Sequence, residues 1–175
     1  MKKFNTRDIC LMGIFTALMA VTAQISIPMP LGVPMTMQTF AILLAGVMLG
    51  AKRGFFATLA YVMLGAAGVP VFANFTGGMG IILGPTGGFI ISFPIMALLA
   101  GWGADKGRNE MIAGLTAGSI VNYAAGMIYF MLCTGKDLNV AFAACVLPFI
   151  PTAAMKAVAA GAVGLKIRGR IMSAA

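Results

Sequence analysis

Histidine is absent from this 175-residue chain, and acids are scarce: four Asp and Glu against twelve Lys and Arg. The acids are Asp8, Asp105, Glu110 and Asp137, and none falls inside an apolar run. Without histidine, an intramembrane carboxylate or an activated Ser or Cys pair, acid–base and nucleophilic catalysis have no groups to work with, so an enzyme is not expected. Proton-coupled transport, which uses intramembrane acids, is disfavoured for the same reason. Cys10, Cys133 and Cys145 are odd in number and lack paired metal-ligand spacing. They read as small apolar packing residues, and no metal is expected. No G-x-x-x-x-G-K occurs, so the chain hydrolyses no nucleotide by itself.

Charge is missing over long distances. From Gly54 to Ala104 there is no Asp, Glu, Lys or Arg, and 61% of the whole chain is hydrophobic, with a mean hydropathy of +1.00. A soluble fold of this size has too little interior to hide such a run. The composition is that of a polytopic membrane protein, organised as one membrane domain over residues 1–175. The net charge of +8 does not imply nucleic acid, because it is dispersed in small clusters between apolar spans: Lys2, Lys3 and Arg7; Lys52 and Arg53; Lys106 and Arg108; Lys166, Arg168 and Arg170. Such clusters are topology signals.

Six spans are expected, near residues 9–27, 34–51, 55–68, 87–103, 111–133 and 151–166. The first covers about 28 Å at helical rise. Met1 to Gln24 resembles a signal peptide, but with spans following it is read as an uncleaved first span. Ile27 to Thr36, with three prolines, is a stiff outer connection, and Lys52, Arg53 and Gly54 form an inner turn. Ala104 to Glu110 is an inner loop, and Pro148 and Pro151 break the apolar stretch before the last span. Counting on this scheme puts ten of the twelve basic residues on the side of the termini and Lys136 opposite, which places both termini in the cytoplasm.

Between the third and fourth spans, Gly68 to Phe93 contains seven glycines and two prolines and no charge. Such backbone cannot be one spanning helix, and at membrane depth it is tolerated only where protein or a cavity receives it. It is expected to wall a site. Asn74 offers donor and acceptor, suited to a urea or amide; Phe72, Phe75, Phe89 and Phe93 supply apolar wall, with plain packing or lipid contact the bland alternative for each. Lys156 has no charged neighbour within nine residues, and a lone cation in an apolar span needs a partner. Near the start of the last helix, it and the helix dipole favour the same anion, such as a carboxylate arriving from outside. The alternative is snorkelling to the headgroups. Gly13, Ala17, Ala20 and Ala23 form a small-residue stripe for close helix approach, most commonly within a chain.

These residues carry a resemblance. P-M-T-M-Q-T-F (34–40), L-L-A-G-V-M-L-G-A-K-R-G (43–54), G-A-A-G-V-P-V-F-A (65–73), G-G-M-G-I-I-L-G-P-T-G-G-F (77–89), L-A-G-W (99–102) and P-F-I-P with Lys156 resemble, in order, the biotin-specific substrate-binding component of energy-coupling-factor (ECF) transporters, the BioY family. The resemblance implies an all-α membrane protein of six transmembrane helices with a long glycine-rich extracellular loop between the third and fourth, in a prokaryotic cell membrane. It further implies biotin as ligand without a cofactor, and a transmembrane coupling subunit with two cytoplasmic ATPases as partners. Lys156 matches the lysine associated with the biotin carboxylate, and Asn74 becomes a candidate for the ureido ring. Gln38, Gly78, Gly80, Thr86 and Tyr123 complete the candidate binding set. Gly13, Ala17 and Ala20 resemble the first-helix face that docks the coupling subunit, although their spacing is less regular. Many members carry an acid where this chain has Ala153, so the cation here is less compensated when the pocket is empty. A vitamin facilitator of the same fold, working without ATPases, is the alternative function.

Overall fold

The computed structural model describes residues 4–29 and 32–173, the last five of these by backbone alone. Lys2, Lys3, Pro30 and Leu31 of the expected basic cluster and outer connection lie outside the described residues, as does the side chain of Arg170. Eight α-helices are described: α1 (Thr6–Ala23), α2 (Gln38–Leu49), α3 (Ala51–Ala66), α4 (Met79–Ile82), α5 (Gly87–Lys106), α6 (Arg108–Thr134), α7 (Leu138–Cys145) and α8 (Ile150–Ser173). An antiparallel ribbon of β1 (Ser26–Ile27) and β2 (Met35–Thr36) joins α1 to α2.

Several expected boundaries move, each for a local reason. α1 starts at Thr6 because Asn5 and Asp8 form a reciprocal capping box over its first amides. Pro34 does not open α2: the chain there pairs Met35 and Thr36 with β1, which satisfies backbone groups before the helix begins at Gln38. Lys52, Arg53 and Gly54 are not a turn but the first turn of α3, since the reversal condenses onto Gly50 at φ +81°. The inner loop of Ala104 to Glu110 likewise shrinks to Gly107 between α5 and α6. Pro148 interrupts the helix only at a 3-10 turn, Leu147–Phe149, leaving α7 before it and Pro151 in the first turn of α8. The glycine-rich segment is less irregular than expected, holding a 3-10 turn at Ala73–Phe75 and the single turn of α4.

Four stretches are long and apolar enough to cross a membrane: Thr6–Ala23, Gly87–Lys106, Arg108–Thr134 and Leu138–Arg168. At 12 and 16 residues, α2 and α3 are shorter. α2 would reach only about 18 Å along its axis. Its burial explains why it needs no more: Ala41 through Leu49 are all buried, and α2 touches α1, α3, α5 and α8. A helix apolar all round belongs in a core. Glycines permit these close approaches, as at Gly46, where a Cβ would stand 2.5 Å from the Ala97 carbonyl of α5. A second cluster, including Phe130, Ala141, Cys145 and Phe149, fastens α7 to α6. Only Cys145 of the cysteines is a buried packing residue; Cys10 and Cys133 are exposed.

Charge collects at one end of the bundle. Arg53 pairs with Asp8 at 2.7 Å, Arg168 pairs with Asp105, and Asp105 also accepts from the Ala51 amide. The β1–β2 ribbon and the uncharged glycine-rich segment meet at the other end, where the side chain of Gln24 bridges from α1 to Phe72 and Phe75.

Candidate functional site

At the loop end the helices and the glycine-rich segment enclose a cavity of about 220 Å³. Its wall is built from separate parts of the chain. The connection leading into β2 supplies Val33 and Pro34, β2 supplies Thr36, and the first turn of α2 supplies Gln38 and Thr39. Phe72, Asn74 and Thr76 come from the 3-10 turn and its flanks, Thr86 from just before α5, and Phe89, Ile90 and Phe93 from α5 itself. Asn122 and Tyr123 of α6, Phe149 of the 3-10 turn before α8, and Lys156 of α8 close it.

Lys156 is the one charged residue on that wall among the described residues. It is buried, at 8% exposure, and Nζ donates to the Thr36 carbonyl at 2.7 Å. With α8 starting at Ile150, it sits about 9 Å into the helix. The ammonium is held inside the protein by this bond and is not exposed on its surface. Among the described residues no carboxylate lies within ion-pairing distance of it. A carbonyl solvates the ammonium in part but cannot neutralise it, so the wall carries an uncompensated cation beside apolar rings. Such a place suits the carboxylate of a largely apolar solute.

The 3-10 turn that presents Asn74 is strained and held. Asn74 and the adjacent Phe75 have left-handed φ of 57° and 55°. Asn tolerates this conformation and Phe does so rarely. Gln24 supplies the restraint: Nε2 donates to the Ala20 and Phe72 carbonyls at 3.0 Å, and Oε1 accepts from the Phe75 amide at 2.8 Å. Gln38 has a partner that is not itself in the cavity lining: the Tyr61 hydroxyl stands 3.0 Å from both Gln38 Oε1 and the Val71 carbonyl, so its proton serves one at a time. Tyr61 also packs edge-on against Phe72, with centroids 5.6 Å apart.

Of the sequence-predicted binding residues, Lys156, Asn74, Gln38, Thr86 and Tyr123 line this one cavity, although they come from distant parts of the chain. Gly78 and Gly80 do not line it. Gly78 instead precedes α4 at φ +96° and donates its amide to the Gly65 carbonyl at 2.6 Å. Phe72, Phe89 and Phe93 form apolar wall as expected, whereas Phe75 points away and is 73% exposed. Asn122, Thr39, Thr36 and Gln24 were missed. Asn122 was detectable as a lone amide inside an apolar span; Gln24 and Thr39 carry no signal of their own, because their roles depend on contacts far along the chain.

Gly13, Ala17 and Ala20 line a different feature, an outward groove between α1 and α3 that also includes Phe56, Ala60 and Leu64. A Cβ at Gly13 would meet no atom within 4 Å. Gly13 and Ala17 are exposed along this groove, whereas Ala20 is half-buried against the core and Ala23 is fully buried.

Comparison with known proteins agrees over almost the entire length. The probable biotin transporter BioY of Pyrococcus horikoshii is 42% identical over 165 residues, covering 94% of this chain and 98% of that protein. The biotin transporter BioY of Thermotoga maritima is 38% identical over 164 residues, covering 93% and 96%. A crystal structure described as the S-component for biotin from an ECF-type ABC transporter superposes with a TM-score of 0.85 at 25% identity, covering 96% of this chain and 95% of that one. The sequence profile of the BioY family matches residues 1–173, and the chain belongs to that family.

Proposed function

We propose that this chain is the biotin-binding membrane subunit of an ECF-type importer. The observation that carries the reading is Lys156: a buried cation, solvated by a single carbonyl, on the wall of an otherwise uncharged cavity. Biotin supplies what that wall lacks, a carboxylate on an aliphatic arm, and its bicyclic head suits the phenylalanines and amides opposite. Lys156 takes the carboxylate; Asn74, Gln38, Thr86 and Tyr123 surround the rest of the ligand. The chain binds and hands over its ligand without chemical turnover. The names of its relatives and the S-component neighbour support this reading.

In this reading the chain crosses the prokaryotic cell membrane six times, with α2 and α3 as short inner crossings and both termini in the cytoplasm. The charged end of the bundle then faces the cytoplasm and the cavity opens outward. Energy comes from a transmembrane coupling subunit and two cytoplasmic ATPases, with the coupling subunit against the groove of Gly13, Ala17 and Ala20. The deciding experiment measures uptake of labelled biotin in biotin-requiring cells expressing the chain with or without those partners. Uptake that needs all of them supports the reading. Undiminished uptake by the chain alone would show a self-sufficient facilitator instead.

A further inference from the structure

Among the described residues, three buried side-chain polar atoms have no hydrogen-bond partner: Ser26 Oγ, Thr39 Oγ1 and Asn122 Oδ1. Thr39 and Asn122 both line the cavity. Buried polar groups are nearly always satisfied, so two orphans on one wall mark places that a ligand completes.

Asn122 is the sharper of the two. It is fully buried, at 0% exposure, in the middle of α6. Its Nδ2 donates to the Phe89 carbonyl at 3.0 Å and to Ser92 Oγ at 2.8 Å. A backbone carbonyl can only accept, so Phe89 decides which end of the amide faces it. Ser92 donates its own proton to the same carbonyl at 3.0 Å, which leaves its oxygen free to accept from Asn122. Both amide protons are therefore consumed by α5. What remains is the carbonyl oxygen, held rigidly, acceptor only, with no protein donor among the described residues.

We propose that Asn122 Oδ1 is a specificity-determining acceptor that reads an N–H of the bound ligand, selecting a cyclic urea or amide with a free nitrogen over a head that lacks one. The assignment rests on the biotin reading of the cavity and adds a residue to it. Biotin's ureido ring offers two such N–H groups and a carbonyl between them. The Thr39 hydroxyl, able to donate or accept, is the second unfilled valence on the same wall. Asn122 thereby works at the opposite pole of chemistry from Lys156: one reads a donor, the other an anion.

The test is calorimetric titration of the detergent-purified chain with biotin, with biotin methyl ester, and with the two lactam analogues in which one or the other ureido N–H is replaced by CH2. These analogues remove a donor without adding bulk. The wild type is expected to bind at least one lactam about tenfold or more weakly than biotin, the size of a lost hydrogen bond that leaves a buried acceptor empty. In Asn122→Ala that preference should shrink to within about threefold, because the acceptor is gone, while the preference for biotin over its methyl ester persists. A purely structural Asn122 would weaken all ligands alike and leave the lactam preference intact, which overturns the assignment. Should Asn122→Ala fail to fold, the wild-type titrations decide: equal affinity for biotin and both lactams overturns it, and discrimination against a lactam supports it. A wild type that binds biotin but ignores the lactam substitution removes only the role of Asn122. A wild type that binds no biotin removes the functional reading as well.

Discussion

Replacing Lys156 by Met keeps the unbranched side chain to within one atom of its length and removes its charge, which isolates the electrostatic part of binding. The ammonium is buried, bonded to the Thr36 carbonyl and unpaired with any acid among the described residues. A carboxylate reaching it makes a charge-assisted hydrogen bond in a water-poor site, worth about 1.5–3 kcal/mol. Biotin affinity should therefore fall roughly ten- to a hundredfold in Lys156→Met. The cavity should change little in shape, so a ligand without charge should lose much less. Titration of wild type and variant with biotin and biotin methyl ester forms a double cycle. The wild type should prefer the acid strongly, and the variant should be nearly indifferent. Stability should move the other way. The cation removed has no carboxylate partner, so empty Lys156→Met should melt no lower than empty wild type. If biotin methyl ester binds the wild type as tightly as biotin, the role given to Lys156 is wrong.

The same missing counter-charge leads to a second expectation. Ala153 lies one helical turn before Lys156, half-buried and facing the groove between α6 and α8; Ala153→Asp should pair with the lysine, raise the melting temperature of the empty protein and reduce the further rise produced by biotin. Gly88→Val should be severe, since a Cβ there already meets the Ala125 carbonyl of α6 at 2.5 Å; a loss of about 2 kcal/mol or more, or failure to fold, is expected in thermal melts. Ala17→Trp fills the groove between α1 and α3 without reaching the cavity, so it should abolish co-purification with the coupling subunit while biotin titration stays unchanged. Asp105→Asn breaks the pairing with Arg168 at the exposed, charged end of the bundle; stability should change by less than about 1 kcal/mol, and less still in high salt.

What could be read from the residues followed from cost. A charge in lipid is expensive whatever the fold, so the uncharged run from Gly54 to Ala104 pointed to a membrane protein and marked Lys156 as a candidate for function. Glycine and proline constrain the backbone locally, so the segment from Gly68 to Phe93 was recognisable as the wall of something. The residues that escaped notice are those whose meaning depends on partners far away. Gln24 looks like the polar end of a span until Phe72 and Phe75 arrive from nearly fifty residues on. Helix boundaries at Gly50 and Gly107 also escaped, because a single glycine can turn the chain and leave its charged neighbours helical.

The sequence by itself determined solvent and inventory: apolar spans suited to a bilayer, one cation within them, amides and aromatic rings. Only the tertiary structure decided what those groups face. Burial of α2 on all sides places Gln38 and Thr39 on the cavity wall, and the Thr36 carbonyl turns Lys156 inward. Two bonds from α5 leave the Asn122 oxygen as an empty acceptor. Directions of this kind are set by contacts between helices, and no local pattern encodes them.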